Sequence, residues 1–249
     1  MTSNQFFIEH IGDGISRLHL QGREHHHLFR VARKKAGDIV WLVDSNGRRV
    51  RTRVVRTDVR ETLLEVLETT DPDLPTVRVT LAQAMLQNRV METILQKATE
   101  FGISEYVPVV SERSLQAVED RMAGRMDRWK RIAREAVKQS KGFRMPEIHG
   151  TISLKRFLER EDKGKKLAFT EKPATLLRDA LKPGVPSSHD IDASSIFLLI
   201  GPEGGWTKQE EDDIITHGFQ TVSLGPFILR AETAAVAAVA CVMHFRVGN

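Results

Sequence analysis

The run Ile196-Phe-Leu-Leu-Ile200, which stops at Gly201, constrains the fold more than any other segment. A strand with one wet face alternates apolar and polar residues. An unbroken apolar run of this length needs cover on both faces, as in a parallel sheet sandwiched between helices. Thr207-Lys-Gln-Glu210 follows with the pattern of a capping box, so strand, glycine loop and helix succeed one another. The same alternation predicts strands at 77–83, 106–110, 166–170, 196–200 and 221–224, and helices at 90–101, 121–141, 208–217 and 232–245. Gly102 and Gly218 end two of these helices. Such α/β sheets bind ligands beyond the carboxyl ends of their strands. Residues 182–195, rich in Pro, Ser and Asp, read as a loop.

The first 70 residues have another texture: short strands at 5–10, 15–20, 39–43, 49–55 and 62–67, which predict a small β-barrel. Asp44-Ser-Asn-Gly47 carries an Asn-Gly pair suited to a tight reversal. Beyond it Arg49, Arg51 and Arg53 alternate with Val50, Thr52 and Val54, which sends the guanidinium groups to one face. That face is either a solvated surface or a contact for RNA phosphates. Asp71-Pro-Asp-Leu-Pro75 resists both helix and central strand, and places a boundary between domains 1–72 and 73–249.

The chain has a net charge of +4, unevenly spread. Between Arg17 and Arg56 eleven Lys/Arg face three acids, and between Arg121 and Arg144 nine face two. Two basic patches suit a polyanionic partner. In the second, Arg121, Arg125, Arg128, Lys138 and Lys141 recur at helical intervals beside an apolar stripe of Met122, Met126, Trp129, Ala133 and Val137; Arg30 belongs to the first. The N-terminus lacks the pattern of a secretory signal, and the longest apolar run, 234–243, is half of the ~20 residues that a membrane span needs. A cytoplasmic protein with no membrane contact is expected. Cys241, the single cysteine, reads as a buried inert thiol. The side chains of His25-His-His27 diverge, so packing or RNA contact is expected there and no metal.

Gly201-Pro-Glu-Gly-Gly205 lets backbone approach a ligand closely. Its spacing is not that of a dinucleotide fingerprint or a P-loop, and Glu203 would repel phosphate. Taken together, Ile200-Gly-Pro-Glu-Gly-Gly-Trp206, Leu224-Gly-Pro-Phe-Ile-Leu-Arg-Ala-Glu-Thr-Ala-Ala235 and Gln96-Lys-Ala-Thr-Glu-Phe-Gly102 resemble the RsmE family, 16S rRNA uridine N3-methyltransferases of the SPOUT superfamily. Val107-Pro-Val-Val-Ser-Glu-Arg113, Trp129, Glu135-Ala, Gln139-Ser140, Phe6-Phe7 and His27 extend the resemblance over nearly the whole chain.

The resemblance implies a C-terminal SPOUT α/β domain with a deep trefoil knot, an N-terminal PUA-like β-barrel, a homodimer, and the 16S rRNA of the small ribosomal subunit as partner. It implies S-adenosylmethionine as cofactor, held by Thr170, Glu171, Ile200, Gly201, Pro202, Glu203, Gly204, Gly205, Leu224, Gly225, Ile228 and Leu229. Methylating N3 of uracil requires removing its proton. Arg230 is the candidate stabiliser of the resulting anion, and Glu232 is either the base or a helix-terminal carboxylate. Phe227 departs from the family pattern, which usually has Arg there; Gln5, Gln87 and Gly142 also replace common basic residues. A SPOUT enzyme with another RNA target, or a catalytically silent RNA-binding assembly protein, are the competing readings.

Overall fold

A computed structural model describes residues 5–45, 47–71, 77–114, 122–140, 142, 144–172, 174–182 and 195–247. The Pro-rich boundary at 72–76, most of the loop at 182–195, Asn46, Arg121 and Lys141 lie outside these residues, as does the side chain of Met122. The chain divides into two compact units: Met1–Leu74 with Arg134–Met145, and Pro75–Ala133 with Pro146–Asn249.

The first unit contains β1 (Gln5–Phe7), β2 (Arg17–Leu20), α1 (Gly22–His26), β3 (Ile39–Val43), β4 (Arg49–Thr57) and β5 (Thr62–Thr70). Its five strands follow the order β1-β3-β4-β5-β2, antiparallel except for β1 on β3. No pairing of β1 with β2 closes the sheet among the described residues. Val50, Thr52 and Val54 are buried and Arg51 and Arg53 exposed, as the period of two requires. The buried carboxylate of Asp44 fixes the β3–β4 reversal by accepting Arg48 N–H at 3.0 Å and Ile11 N–H at 3.2 Å. α1, which continues into a π-helical turn at His27–Val31, was not predicted, because a five-residue helix has too little length to show a period. Two of the three histidines there pack: His25 bonds Thr62 Oγ1 at 2.9 Å and stacks on Phe29, and His27 lies against Phe6, while His26 is exposed.

A second piece of chain belongs to this unit. Residues Arg134–Met145 are tied in by three contacts. Arg134 sits over the Phe7 ring at 4.9 Å, Arg49 Nη2 donates to Gly142 O at 3.1 Å, and Lys138 pairs with Glu24, which also accepts Phe7 N–H at 3.1 Å. Lys138 is therefore not on a phosphate-facing stripe. Its side chain is only 6% exposed, and an ammonium this deeply buried needs a carboxylate beside it, which Glu24 supplies.

The second unit comprises β6 (Arg78–Ala84), α2 (Asn88–Glu100), β7 (Glu105–Val110), the start of α3 (Met122–Ser140), β8 (Glu147–Ile148), β9 (Ile152–Ser153), α4 (Leu154–Leu158), β10 (Lys165–Phe169), β11 (Thr175–Leu176), α5 (Leu177–Ala180), β12 (Ser195–Ile200), α6 (Lys208–Thr216), β13 (Gln220–Ser223) and α7 (Ala231–Val247). Every strand pair is parallel, in the order β11-β13-β10-β12-β6-β7-β8, with β9 also on β7. Ile196 to Ile200 are all buried, which explains their unbroken apolarity. α4 and α6 supply Phe157, Leu158 and Ile214 to the core with Val107, Val109 and Leu199, while α7 packs on α2, β6 and β12. Trp129 is fully buried edge-on to Tyr106, with ring centroids 5.8 Å apart. No helix among the described residues is long and apolar enough to cross a membrane.

Breaking a buried ion pair strands the surviving charge. Lys138→Ala is expected to lower the unfolding free energy by about 3 kcal/mol in urea titrations. The double variant Glu24→Gln/Lys138→Met should recover most of that loss; equal destabilisation of the two would contradict the assignment.

Candidate active site

β13, β10 and β12 are adjacent and parallel, so the chain leaves all three at the same end of the sheet. The registers Phe169↔Val222 and Ala168↔Leu199 set the three exits nearly level. The loops beginning at Thr170, Gly201 and Leu224 therefore converge, and they enclose a cavity of about 650 Å³.

Each loop is shaped by its sequence. In the second, Gly205 N–H bonds Pro202 O at 3.0 Å across a tight turn, and Gly205 adopts φ +69°, a conformation that L side chains rarely take. A Cβ there would lie 3.3 Å from Glu171 Oε1, and one on Gly201 would lie 3.1 Å from the Trp206 indole. Trp206 is buried and donates from Nε1 to Phe169 O at 3.0 Å, which stitches the second loop to the end of β10. The capping box forms: Thr207 Oγ1 accepts Glu210 N–H, and Glu210 Oε2 accepts Thr207 N–H at 2.9 Å.

Thr170, Glu171, Ile200, Gly201, Pro202, Glu203, Gly205, Leu224, Gly225, Ile228 and Leu229 all line the cavity, as do Arg230 and Glu232. Gly204 does not. Its carbonyl accepts Arg113 Nη1 at 3.0 Å, so it serves to brace the loop from behind. Arg113 also reaches Trp206 O at 3.3 Å, and Glu112 N–H bonds Glu210 Oε1 at 2.8 Å. Sequence reasoning noticed the segment 107–113 but gave it no role, because nothing in its spacing shows what it touches. It also missed Gln87, Phe169, Trp206 and Ser223 as lining residues. Their signal was available, since each lies at or just beyond the carboxyl end of a strand or within the glycine loop.

The cavity's electrostatics are lopsided. Glu171, Glu203 and Glu232 supply carboxylates, and Arg230 is the one cation among the described lining residues. No salt bridge engages Arg230 among those residues, with Glu203 and Glu232 included. Thr170 Oγ1 is buried without a hydrogen-bond partner. At the rim Phe227 is 80% and Ile228 84% exposed.

The expected RNA-contacting cations have varied fates. Arg51 pairs with Glu68 at 3.8 Å and Arg53 with Glu65 at 3.2 Å. Burial lowers the pKa of Arg49, whose guanidinium serves Gly142 O. Arg128 binds Glu92 through two nitrogens, which holds its pKa above the usual value, and Arg125 sits 6.0 Å from the Trp129 ring centroid. Arg30 is exposed over Phe29. Arg121 and Lys141 lie outside the described residues.

The family profile described as an RNA methyltransferase domain matches residues 72–243, and one described as an RNA methyltransferase PUA domain matches 20–61. The chain is 32% identical to ribosomal RNA small subunit methyltransferase E of Aquifex aeolicus, over 87% of this chain and 90% of that protein. It is 33% identical to the protein of the same name from Synechocystis, over 86% of this chain and 69% of that one. The crystal structure of ribosomal RNA small subunit methyltransferase E from Neisseria gonorrhoeae, bound to S-adenosylmethionine, is 29% identical with a TM-score of 0.83, covering 95% of both chains. A methyltransferase from Legionella pneumophila in complex with the same cofactor is 25% identical with a TM-score of 0.82, over 96% of each chain. With an RNA methyltransferase profile over most of its length and a PUA profile before it, the chain belongs to the RNA methyltransferase family of ribosomal RNA small subunit methyltransferases E.

Proposed function

We propose that this chain transfers a methyl group from S-adenosylmethionine to N3 of a uridine in 16S rRNA of the small ribosomal subunit, acting in the cytoplasm. The observation that carries the reading is the cavity where three parallel strands end, with three carboxylates and one unpaired arginine. Its volume suits a nucleoside-sized ligand. Its charge suits a ligand with a sulfonium and an ammonium, and disfavours a pyrophosphate. The buried, unpartnered Thr170 Oγ1 is a polar atom of the kind that a ligand satisfies. Thr170, Glu171, Ile200 to Gly205 without the Gly204 side, and Leu224, Gly225, Ile228 and Leu229 are the proposed cofactor contacts, and Arg230 and Glu232 the proposed catalytic pair.

When bound, S-adenosylmethionine supplies an electrophilic methyl group. The protein's part is to present the imide nitrogen. Arg230, at the entry to α7, is placed to hold the negative charge that develops on the uracil oxygens as N3 loses its proton. Glu232 lies one residue inside α7, where its carboxylate is placed to accept that proton or to orient a water that does. With the cofactor in place the N3–H bond would break, its proton passing through Glu232 or a water to solvent, and the N3–methyl bond would form as the methyl–sulfur bond breaks and leaves its electron pair on a neutral thioether. The walls made by Ile200, Leu224 and Leu229 keep water from the electrophile.

Two architectural readings accompany this one. Domain 1–72 is taken as the PUA-like RNA-binding part and 73–249 as the SPOUT part. A deep trefoil knot is supported by the path of the chain, because β13 lies on one side of β10, whereas α7, which follows it, packs on β12 and β6 on the other. A crystal structure tracing 169–247 tests the crossing. A homodimer is supported by α7, whose Val236, Ala237, Ala240 and Cys241 stay partly uncovered and whose Phe245 is exposed; sedimentation tests it. Phe227, exposed where the family usually has Arg, favours a different RNA position as the second reading.

Methyl transfer from labelled S-adenosylmethionine to small subunits, naked 16S rRNA and transfer RNA, followed by nucleoside analysis, is expected to yield 3-methyluridine in 16S rRNA alone. Methylated ribose or another base would select the second reading. Arg230→Ala is expected to reduce kcat by about 10²-fold or more with little change in cofactor affinity. Gly205→Ala places a side chain in a left-handed backbone at a cost of about 1–2 kcal/mol, and brings its Cβ against Glu171. Calorimetry should show S-adenosylmethionine binding weakened by roughly tenfold, and an unchanged affinity would remove this turn from the cofactor site.

A further inference from the structure

We infer that a concavity in the first unit, beside the π-helical turn His27–Val31, seats the phosphodiester backbone of single-stranded RNA with an unstacked base on its floor. This rests on the reading of the chain as an RNA methyltransferase and names a surface by which it holds its RNA. The cations involved are not those of the arginine row on β4, whose charges are met within the protein.

Two backbone outliers converge there. A π-helical turn is rare and recurs at functional sites. Two residues on, Arg33 adopts φ +50°, left-handed for a residue with a Cβ, a conformation that costs about 1 kcal/mol and persists only where the surroundings hold it. Lys34 N–H, bonded to Leu28 O at 3.1 Å, holds it here. The reversal that results places Arg33, Lys34 and Lys35 around a cavity of about 450 Å³, completed by Phe29, Val55 and Arg56.

The charges in this cavity are free in a way that those of β4 are not. Arg33, Lys34 and Lys35 have no ion-pair partner among the described residues. The acids nearby are occupied: Asp38 accepts Lys35 N–H at 2.8 Å, and Glu61 pairs with Arg56 at 3.0 Å and with His19 at 3.1 Å. Three uncompensated cations in a concavity call for a polyanion.

The floor narrows the class of polyanion. Val55, 40% exposed, lines the cavity with Phe29, which is braced between His25, stacked at 5.6 Å, and Arg30, over its ring at 5.1 Å. The cations would attract any phosphate, but the apolar lining of Phe29 and Val55 adds contact only for a ligand that carries a base beside its phosphate. Such a base must be unstacked, which selects single-stranded RNA over a duplex.

The test measures binding of a fluorescently labelled single-stranded RNA to the full chain over a range of salt concentrations. Each phosphate neutralised on a single strand contributes about 0.7 to the slope of log K against log salt. Arg33→Ala/Lys34→Ala/Lys35→Ala is therefore expected to flatten the slope by about 2 and to weaken binding at least tenfold, and Val55→Asp to weaken it with the cations intact. Arg51→Ala/Arg53→Ala should leave the slope nearly unchanged. Cofactor affinity and melting temperature serve as controls for folding. A triple variant with the slope of the parent overturns the proposal, as does equal competition by duplex RNA or a polyglutamate peptide. Absence of methyl transfer by the parent protein would instead overturn the enzymatic reading, so the two failures are separately visible.

Discussion

The parallel hydrogen-bonded register of β13, β10 and β12 is the constraint on which the candidate site depends. Strands run parallel only if a crossover returns the chain to the same end each time, so every loop that leaves a carboxyl end leaves on the same side. Adjacency then turns three loops far apart in sequence into one wall. The Trp206 indole bonded to Phe169 O, the Gly201 backbone pressed against that indole and Arg113 gripping the outside of the glycine turn all act on loops whose starting points the sheet has already set. Because the Trp206–Phe169 and Arg113–Gly204 braces join segments that follow different strands, neither would form if one strand moved to another place in the sheet.

The same geometry sets the chemistry. Glu171 and Glu203 come from two different loops and Glu232 from the first turn of α7, and no two of them would be neighbours in an extended chain. Gathered, they bias the cavity toward cationic ligands. Arg230 immediately precedes α7, whose N-terminal amides add positive potential to its own charge. The lining thus carries three carboxylates and, at the end of the loop 224–230, a single cation, Arg230. With Phe227 neutral, no second cation stands beside Arg230 among the described lining residues.

Much of this was legible in the sequence, for stated physical reasons. The unbroken apolarity of Ile196 to Ile200 announced a strand covered on both faces, the pattern of Thr207 and Glu210 announced the cap of α6, and the alternation along β4 announced which side chains face out. These are local signals of period and capping. What was illegible depends on contacts between distant residues: Arg113 behind Gly204, the braces of Arg134–Met145, and the strand order itself. Short elements such as α1 and β8 escaped because a few residues cannot display a period.

Charge was the least legible property, and the reason is register. The cations of β4 look like a phosphate-binding row until β5 is laid beside them, when Arg51 falls opposite Glu68 and Arg53 opposite Glu65. Cross-strand neighbours of opposite sign attract each other, so the pairing that builds the sheet also cancels most of its field. Lys138 meets the same fate more completely, because it is buried against Glu24. A cation remains available to an outside polyanion only where no register supplies it with an acid. Turns that depart from regular pairing meet that condition, and Arg33 to Lys35, carried on a π-helical turn and a left-handed residue, lie in such a turn.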